Sequence, residues 1–519
     1  MNERAARNTW YAERPLLVVW IALSLLHLLP IVAAEHLPMQ DLPNHLAIIG
    51  TLAAEDEVPG WNERFVNRLS PEPYITYYGA GVLLSKLVGA VAANRLLMAL
   101  YVLLLPLSFA ALYDALGGTN RWGALFGFLL IYNDPYLVGF TNYLLCLPMV
   151  LLGATLAVRL AGRATGGAAT GAVLALMAVL IYFTHPFGLA PLAVLAVVCA
   201  TGRATRPRRV AYVAAALVPS LVLLAVWWFG GSGVEGVIRL PAAFKLEYLL
   251  RTPVLLLENP DDKALQAASI LGLALLVAAI VAWRRAPGDG GPGGLARIHP
   301  GWWATAVFLA AYFAAPFASG ATIWLDLRLA LFAWVALLLA AGGWLTRGRS
   351  GKALAVALCL VSILGVGRLH RAFDREIAPL FEVIAEMEPN RRVLPILCDP
   401  RSEAIEPFYV RNGLIPFSSP YAHFGSHYHV RKGGESPWMT FHADLAWIPL
   451  GLRDPLYSQH FGIDGPFAPG PVLGTVPAVR DDFDYLLVRG GDAATQRYLA
   501  RYGTRRARAG AFTLYEIRR

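Results

Sequence analysis

Residues 74–91 read YITYYGAGVLLSKLVGAV. Whether this stretch crosses a membrane decides the topology of everything after it. If it spans, every later arginine cluster moves to the opposite face. Lys86 and the glycine-rich pattern suit a helix lying in the membrane interface instead. On that reading the stretch stays on the outer surface, inside a first external loop from about 35 to 93.

Outward from it, the chain is mostly apolar. Hydrophobic residues make up 57% and charged residues 15% of the sequence, and the mean hydropathy is +0.51. A soluble domain has a different balance. Apolar runs of about 15 to 24 residues recur from Pro15 to Gly367, near the ~20 residues that cross a ~30 Å hydrocarbon core. They place about eleven spans at 15–34, 94–116, 121–134, 136–158, 170–184, 186–200, 209–230, 265–283, 300–319, 322–345 and 351–367. Short spans such as 121–134 and 170–184 tilt, fray or end inside the protein. The rest lacks such runs. The sequence therefore predicts a polytopic α-helical membrane domain, 1–369, and a soluble α/β domain, 370–519.

The arginines orient the spans. Arg4/Arg7/Arg14, Arg121, Arg159/Arg163, Arg203/Arg206/Arg208/Arg209, Arg284/Arg285/Arg297 and Arg347/Arg349/Lys352 fall on one side. The positive-inside rule makes that side cytoplasmic. The loops 35–93 and 231–264 and the domain from 370 are then external. The net charge of +9 is topogenic on this reading and does not point to nucleic acid. The run Pro15–Ala34 ends in Val32-Ala33-Ala34, like a cleavage site, but is long for a signal peptide and reads as an uncleaved anchor. Pro287–Gly294 is a cytoplasmic loop. Cys146, Cys199 and Cys359 lie in apolar runs and only Cys398 in the soluble part, so no disulfide framework is expected. No internal repeat is visible.

This topology gathers polar groups on the outer face. Met39-Gln40-Asp41-Leu42-Pro43-Asn44-His45-Leu46 follows the first span. Then come Asn133-Asp134, His185, the loop acids Glu235, Glu247, Glu258, Asp261 and Asp262, and Asp326 with Arg328. Ionisable groups at membrane depth are costly, so each is a functional candidate. Asp41 followed by Pro43 also suits a helix N-cap. His45, four residues on, shares its face. Arg328 suits bidentate phosphate binding or an internal ion pair, although Asp326, two residues away, lies on another face of a helix. His185 sits at a turn made by Pro186, and Asn133-Asp134-Pro135 reads as a turn too.

In the soluble part, Arg392–Leu397, Tyr485–Arg489 and Phe512–Ile517 read as strands, and Arg371–Met387 and Ala493–Tyr502 as helices. Between them lies Pro420-Tyr421-Ala422-His423-Phe424-Gly425-Ser426-His427-Tyr428-His429. His423, His427 and His429 suit a metal, a substrate-facing lid or a loop resting on the membrane. Arg431 and Lys432 suit a phosphate.

In layout the chain resembles the family C (GT-C fold) membrane glycosyltransferases. The features are an amino-terminal anchor, a long first external loop with an acid near its start, interfacial helices, about eleven spans and an external carboxy-terminal domain. The first loop has one acid followed by Pro43 and His45 where some members carry two. The resemblance implies transfer of a sugar from a polyprenyl-phosphate donor to an external glycan, lipid or protein acceptor. It implies Asp41 as the catalytic base and Arg328 near the lipid phosphate; His45, on the face of Asp41, is the second catalytic candidate, placed to orient Asp41, bind a phosphate or ligate a metal. His185, Asn133, Asp134, His423 and His427 join as substrate- or phosphate-binding candidates. No cofactor is certain; a divalent cation is an open option. The implied location is a bacterial-type inner membrane. The competing classes are a transporter or flippase of a lipid-linked precursor and a non-catalytic envelope assembly protein.

Overall fold

The computed structural model describes residues 13–118, 120–162, 167–202, 207–230, 237–252, 262–285, 299–319, 324–406, 419–437, 439, 448–452 and 469–518. The molecule is mostly helical. Six described helices are long and apolar enough to cross a membrane: Arg14–Ala33, Ala90–Ala115, Thr141–Gly162, Pro207–Gly230, Leu325–Leu345 and Gly348–Ala385. Helices Ala168–Thr184 and Leu189–Thr201 are shorter and separate at His185, where the turn Pro186–Gly188 interrupts them. Proline there removes a backbone donor, as the sequence requires. Asp262–Arg285 and Pro300–Ala314 fall on two further expected spans.

The expected span 121–134 takes another form. Arg121–Leu130 is a ten-residue 3-10 helix, buried from Gly123 onward. At about 2 Å per residue it covers roughly 20 Å. It is threaded between Ala90–Ala115 and Leu325–Leu345. A Cβ on Gly123 would sit 2.6 Å from the Gly342 carbonyl carbon. The glycines thus let three backbones meet where side chains would hold them apart.

Ile75–Val88 is a fourteen-residue helix, about 21 Å long and short of a bilayer core. It ends at Gly89, whose φ of +80° turns the chain directly into Ala90–Ala115. Lys86 pairs with Asp56 of the same loop, Nζ to Oδ2 2.9 Å. Leu83 and Leu87 are 70% and 80% exposed, which suits a helix resting against lipid.

The proposed boundary near 369 falls inside a continuous helix. Gly348–Ala385 runs through it, and Ile363, Val366, Leu369, His370, Phe373, Ile377 and Leu380 keep one buried stripe. The stripe has the 3–4 residue spacing of a packed helix face, so nothing breaks the helix at the membrane edge. Beyond it lies a four-stranded sheet. Val393–Leu397 runs parallel to Tyr485–Arg489; Phe512–Ile517 pairs antiparallel with the latter and with Gly503–Ala509. The three predicted strands are present. Gly503–Ala509 escapes prediction because its Thr-Arg-Arg-Ala-Arg run is charged. That charge suits an edge strand, where it discourages pairing with other chains.

The carboxy-terminal part and the first loop are stitched together. Phe65–Asn67 pairs antiparallel with Leu450–Leu452. The Glu35 and His36 amides donate to Asp374. Both parts therefore lie on one side of the helical bundle. The bundle carries its own buried ion pair: Lys245 Nζ lies 2.8 Å from Asp326 Oδ2, the side chains 3% and 0% exposed. Lys245 also donates to the carbonyls of Tyr312 and Ala315. Removing one partner of a buried pair costs about 3–5 kcal/mol. Lys245→Met is accordingly expected to lower the melting temperature of the detergent-solubilised protein sharply; an unmoved melting curve would show that the pair contributes no stability.

Candidate functional site

Asp41 stands at the N-cap position of helix Leu42–Ala53, with Pro43 in its first turn. Its side chain makes no capping hydrogen bond. The carboxylate is 25% exposed. His423 Nε2 lies 3.5 Å from Asp41 Oδ1, and Gln40 Nε2 donates to the same oxygen at 3.3 Å. The Asp41 backbone is pinned from behind, its amide donating to the Val138 carbonyl at 3.0 Å. That approach requires Gly139, which has φ +90° and whose Cβ would come within 2.8 Å of the Asp41 nitrogen. The capping reading of Asp41 is therefore not realised, and the carboxylate is left facing a polar neighbourhood.

His45 is on the same helix face. Its Nδ1 lies 2.8 Å from the Tyr78 hydroxyl, and its ring meets Tyr77 edge-on at 5.6 Å. Burial pushes its pKa down to about 4, against the opposing pull of the Asp41 charge. It is therefore neutral at pH 7 and acts as a hydrogen-bonding group, not a cation.

The segment 419–432 closes over this helix. The Ser419 amide donates to Gln40 Oε1, Ser426 Oγ donates to Asn44 Oδ1 at 2.7 Å, and His429 Nε2 meets Thr51 Oγ1 at 2.7 Å. The three histidines go to three places. His423 reaches Asp41, His429 reaches Thr51, and His427 packs edge-on against Phe381 in a separate pocket. The metal reading of this trio is not supported. No group of three or more His, Cys, Asp or Glu positioned to hold a metal occurs among the described residues.

Burial of these histidines predicts an acid-sensitive junction. Burial holds His427 down to about 3 and lowers His429 as well. The folded chain refuses protons that the unfolded chain binds below its ordinary value near 6.5. Stability is then full above about pH 6.5 and falls as pH drops towards about 3. A His427→Phe variant is expected to lose less stability over that window than the parent; identical slopes in the two melting series would refute the assignment.

Arg328 packs against Phe140, the residue that follows Gly139. It is buried in the first turns of Leu325–Leu345. Its guanidinium carbon sits 4.7 Å from the ring centre of Phe140, 5.3 Å from Tyr143 and 5.4 Å from Phe187. His185 Nε2 is 3.5 Å from Arg328 Nη1, and the His185 ring meets Tyr74 edge-on at 5.1 Å. Arg328 Nε has no hydrogen-bond partner among the described residues. Ring faces stabilise the cation and leave donors for an anion. The expected alternative, an Asp326–Arg328 pair, does not form: Asp326 is held by Lys245.

The other candidates divide. Asn133 is committed to the fold: its Oδ1 accepts from the Tyr136 amide and its Nδ2 donates to Leu130 and Tyr101. Asp134 Oδ2 accepts from Tyr248 at 2.9 Å and ties helix Ala242–Arg251 to the bundle. Glu247 pairs with Arg251. Glu235, Glu258 and Asp261 lie outside the described residues, as does the side chain of Asp262.

Sequence reasoning missed Gln40, Tyr78 and the aromatic cage. A usable signal existed for the cage, since Phe140 and Tyr143 follow Asn133-Asp134 closely and Phe187 lies two residues after His185. No family model matches the chain, and no curated protein does. Among solved structures, ArnT from Cupriavidus metallidurans in the apo state is similar at a TM-score of 0.40 and 14% identity, over 97% of this chain and 98% of that one.

Proposed function

We propose that this chain is a multi-pass inner-membrane glycosyltransferase that moves a sugar from a polyprenyl-phosphate donor to an external acceptor. One observation carries the reading. A carboxylate that makes no capping bond, Asp41, and a caged, buried guanidinium, Arg328, pack against the adjacent residues Gly139 and Phe140. Sugar transfer to a hydroxyl needs a base for the acceptor proton and positive charge for the departing phosphate. Asp41 takes the first role, with His423 and Gln40 holding its oxygen. Arg328 takes the second, with His185 beside it. The aromatic rings exclude water from the leaving group, where each electrostatic contact counts for more.

The site faces outward on this proposal, with the carboxy-terminal part on the same external side as loop 35–93. Reporter fusions after Glu388 and after Arg209 are expected to give opposite signals, and matching signals would refute the topology. Labelled polyprenyl-phosphate sugar supplied to the reconstituted protein tests the activity. Label moved to an acceptor supports the transferase. Label that crosses the bilayer without transfer supports a flippase, and no change in the label supports the assembly role.

A further inference from the structure

A second pocket, whose lining does not include Asp41, lies against the start of helix Leu42–Ala53. Its apolar wall includes Leu42, Leu46 and Val91, and its polar groups include Glu35, His36, Arg95 and Arg431. It is built from five parts of the chain: the exit of the first membrane helix, the start of Leu42–Ala53, the start of Ala90–Ala115, Phe373 and Phe381 of Gly348–Ala385, and the histidine-rich segment. Exposed apolar side chains lie beside it. Val91 is 39% exposed and the neighbouring Leu96 52%, so an acyl chain passing the pocket mouth would find apolar side chains.

The polar groups are of two kinds. Arg95 is fixed by donating to the Ala34 and Glu35 carbonyls. Arg431 lies over the Phe381 ring at 5.0 Å and 3.4 Å from Glu35 Oε1. Two guanidiniums at a membrane interface suit a lipid phosphate. The others accept. His36 Nδ1 faces Asp374 Oδ1 at 2.9 Å, so that nitrogen carries the proton. Burial lowers the His36 pKa and keeps the ring neutral at pH 7. Its Nε2 is therefore a lone pair; it is buried and has no hydrogen-bond partner among the described residues. Glu35 Oε1 lies 3.9 Å from it. A lone pair beside a carboxylate calls for a cationic N–H donor.

We propose that this pocket holds the headgroup of one ethanolamine phospholipid. The phosphate meets Arg95 and Arg431, and the ammonium meets His36 Nε2 and Glu35. The lipid then bridges the membrane helices and the carboxy-terminal part at the interface. A choline headgroup has the same charges but no N–H, and a glycerol headgroup lacks the cation.

Native mass spectrometry of the full chain, titrated with dioleoyl phosphatidylethanolamine, phosphatidylcholine or phosphatidylglycerol, tests this without measuring transfer. The ethanolamine lipid is expected to bind at least tenfold more tightly than the choline lipid. Glu35→Gln, at a largely exposed side chain, is expected to shrink that preference while the protein stays folded. Arg431→Gln is expected to weaken both lipids alike. Equal binding of the ethanolamine and choline lipids, or tightest binding of the glycerol lipid, would overturn the proposal, as would an unchanged preference in Glu35→Gln.

Discussion

Asp41→Asn is expected to reduce sugar transfer by about 10²–10⁴-fold, the range that a general base contributes, while the folded protein accumulates normally. The amide keeps the shape of the side chain but cannot take the acceptor proton. The structure sharpens the test, because the Asp41 side chain makes no helix-capping hydrogen bond. Loss of a cap therefore cannot be the cause of a dead variant. The remaining competitor is that Asp41 merely anchors His423, 3.5 Å away, and with it the segment that covers the site. His423→Gln separates the two roles. An anchor predicts that both variants lose thermal stability together and transfer only in proportion. A base predicts that Asp41→Asn loses transfer with its melting curve unmoved, while His423→Gln keeps part of the rate. Wild-type turnover in Asp41→Asn would remove it from the base role.

Much of this arrangement is readable from the chain, because the forces involved are local or periodic. Runs near twenty apolar residues can only be helices in a bilayer, where every backbone group must be satisfied within the segment. Pro186 breaks a helix wherever it falls, and Lys86 with Gly89 limits how far Ile75–Val88 can extend. Three strands of the carboxy-terminal sheet show as short apolar runs. What the sequence hides is pairing at a distance. Nothing near Asp326 points to Lys245, about eighty positions earlier, and helical spacing excludes only Arg328 as its partner. Nothing in Ser419–His429 says that its three histidines part to Asp41, Phe381 and Thr51. Arg121–Leu130 is equally opaque: its composition fits an α-helix, and nothing in it announces the close packing of Gly123 on Gly342 and of Gly127 on Phe109. The edge strand Gly503–Ala509 is hidden by the arginines that protect it.

Arg328 should decide between a lipid-phosphate clamp and a structural role. If it holds the donor phosphate, Arg328→Lys keeps a charge but replaces a two-pronged donor with a point charge. A charge-assisted hydrogen bond contributes about 1.5–3 kcal/mol, so donor affinity is expected to fall roughly ten- to a hundredfold. Arg328→Met removes the charge as well and is expected to cost more, with a further loss in kcat if the same contact stabilises the departing phosphate. The structure predicts how stability should respond. Asp326 belongs to Lys245, so neither Arg328 variant strands a buried acid. The loss is confined to contacts with Phe140, Tyr143 and Phe187, each cation–π contact being about 0.5–2 kcal/mol. Even that is partly offset when a buried charge is replaced by an apolar side chain of similar length. Lys245→Met, by contrast, leaves Asp326 unpaired and should unfold the bundle early. Donor titrations and melting curves on Arg328→Lys, Arg328→Met and Lys245→Met therefore form one experiment. The clamp requires the Arg328 variants to lose donor affinity and keep most of their stability, and Lys245→Met to do the reverse. Unchanged donor affinity in Arg328→Met, with a melting temperature as low as that of Lys245→Met, would make the guanidinium a structural cation and leave the proposed site without its phosphate group.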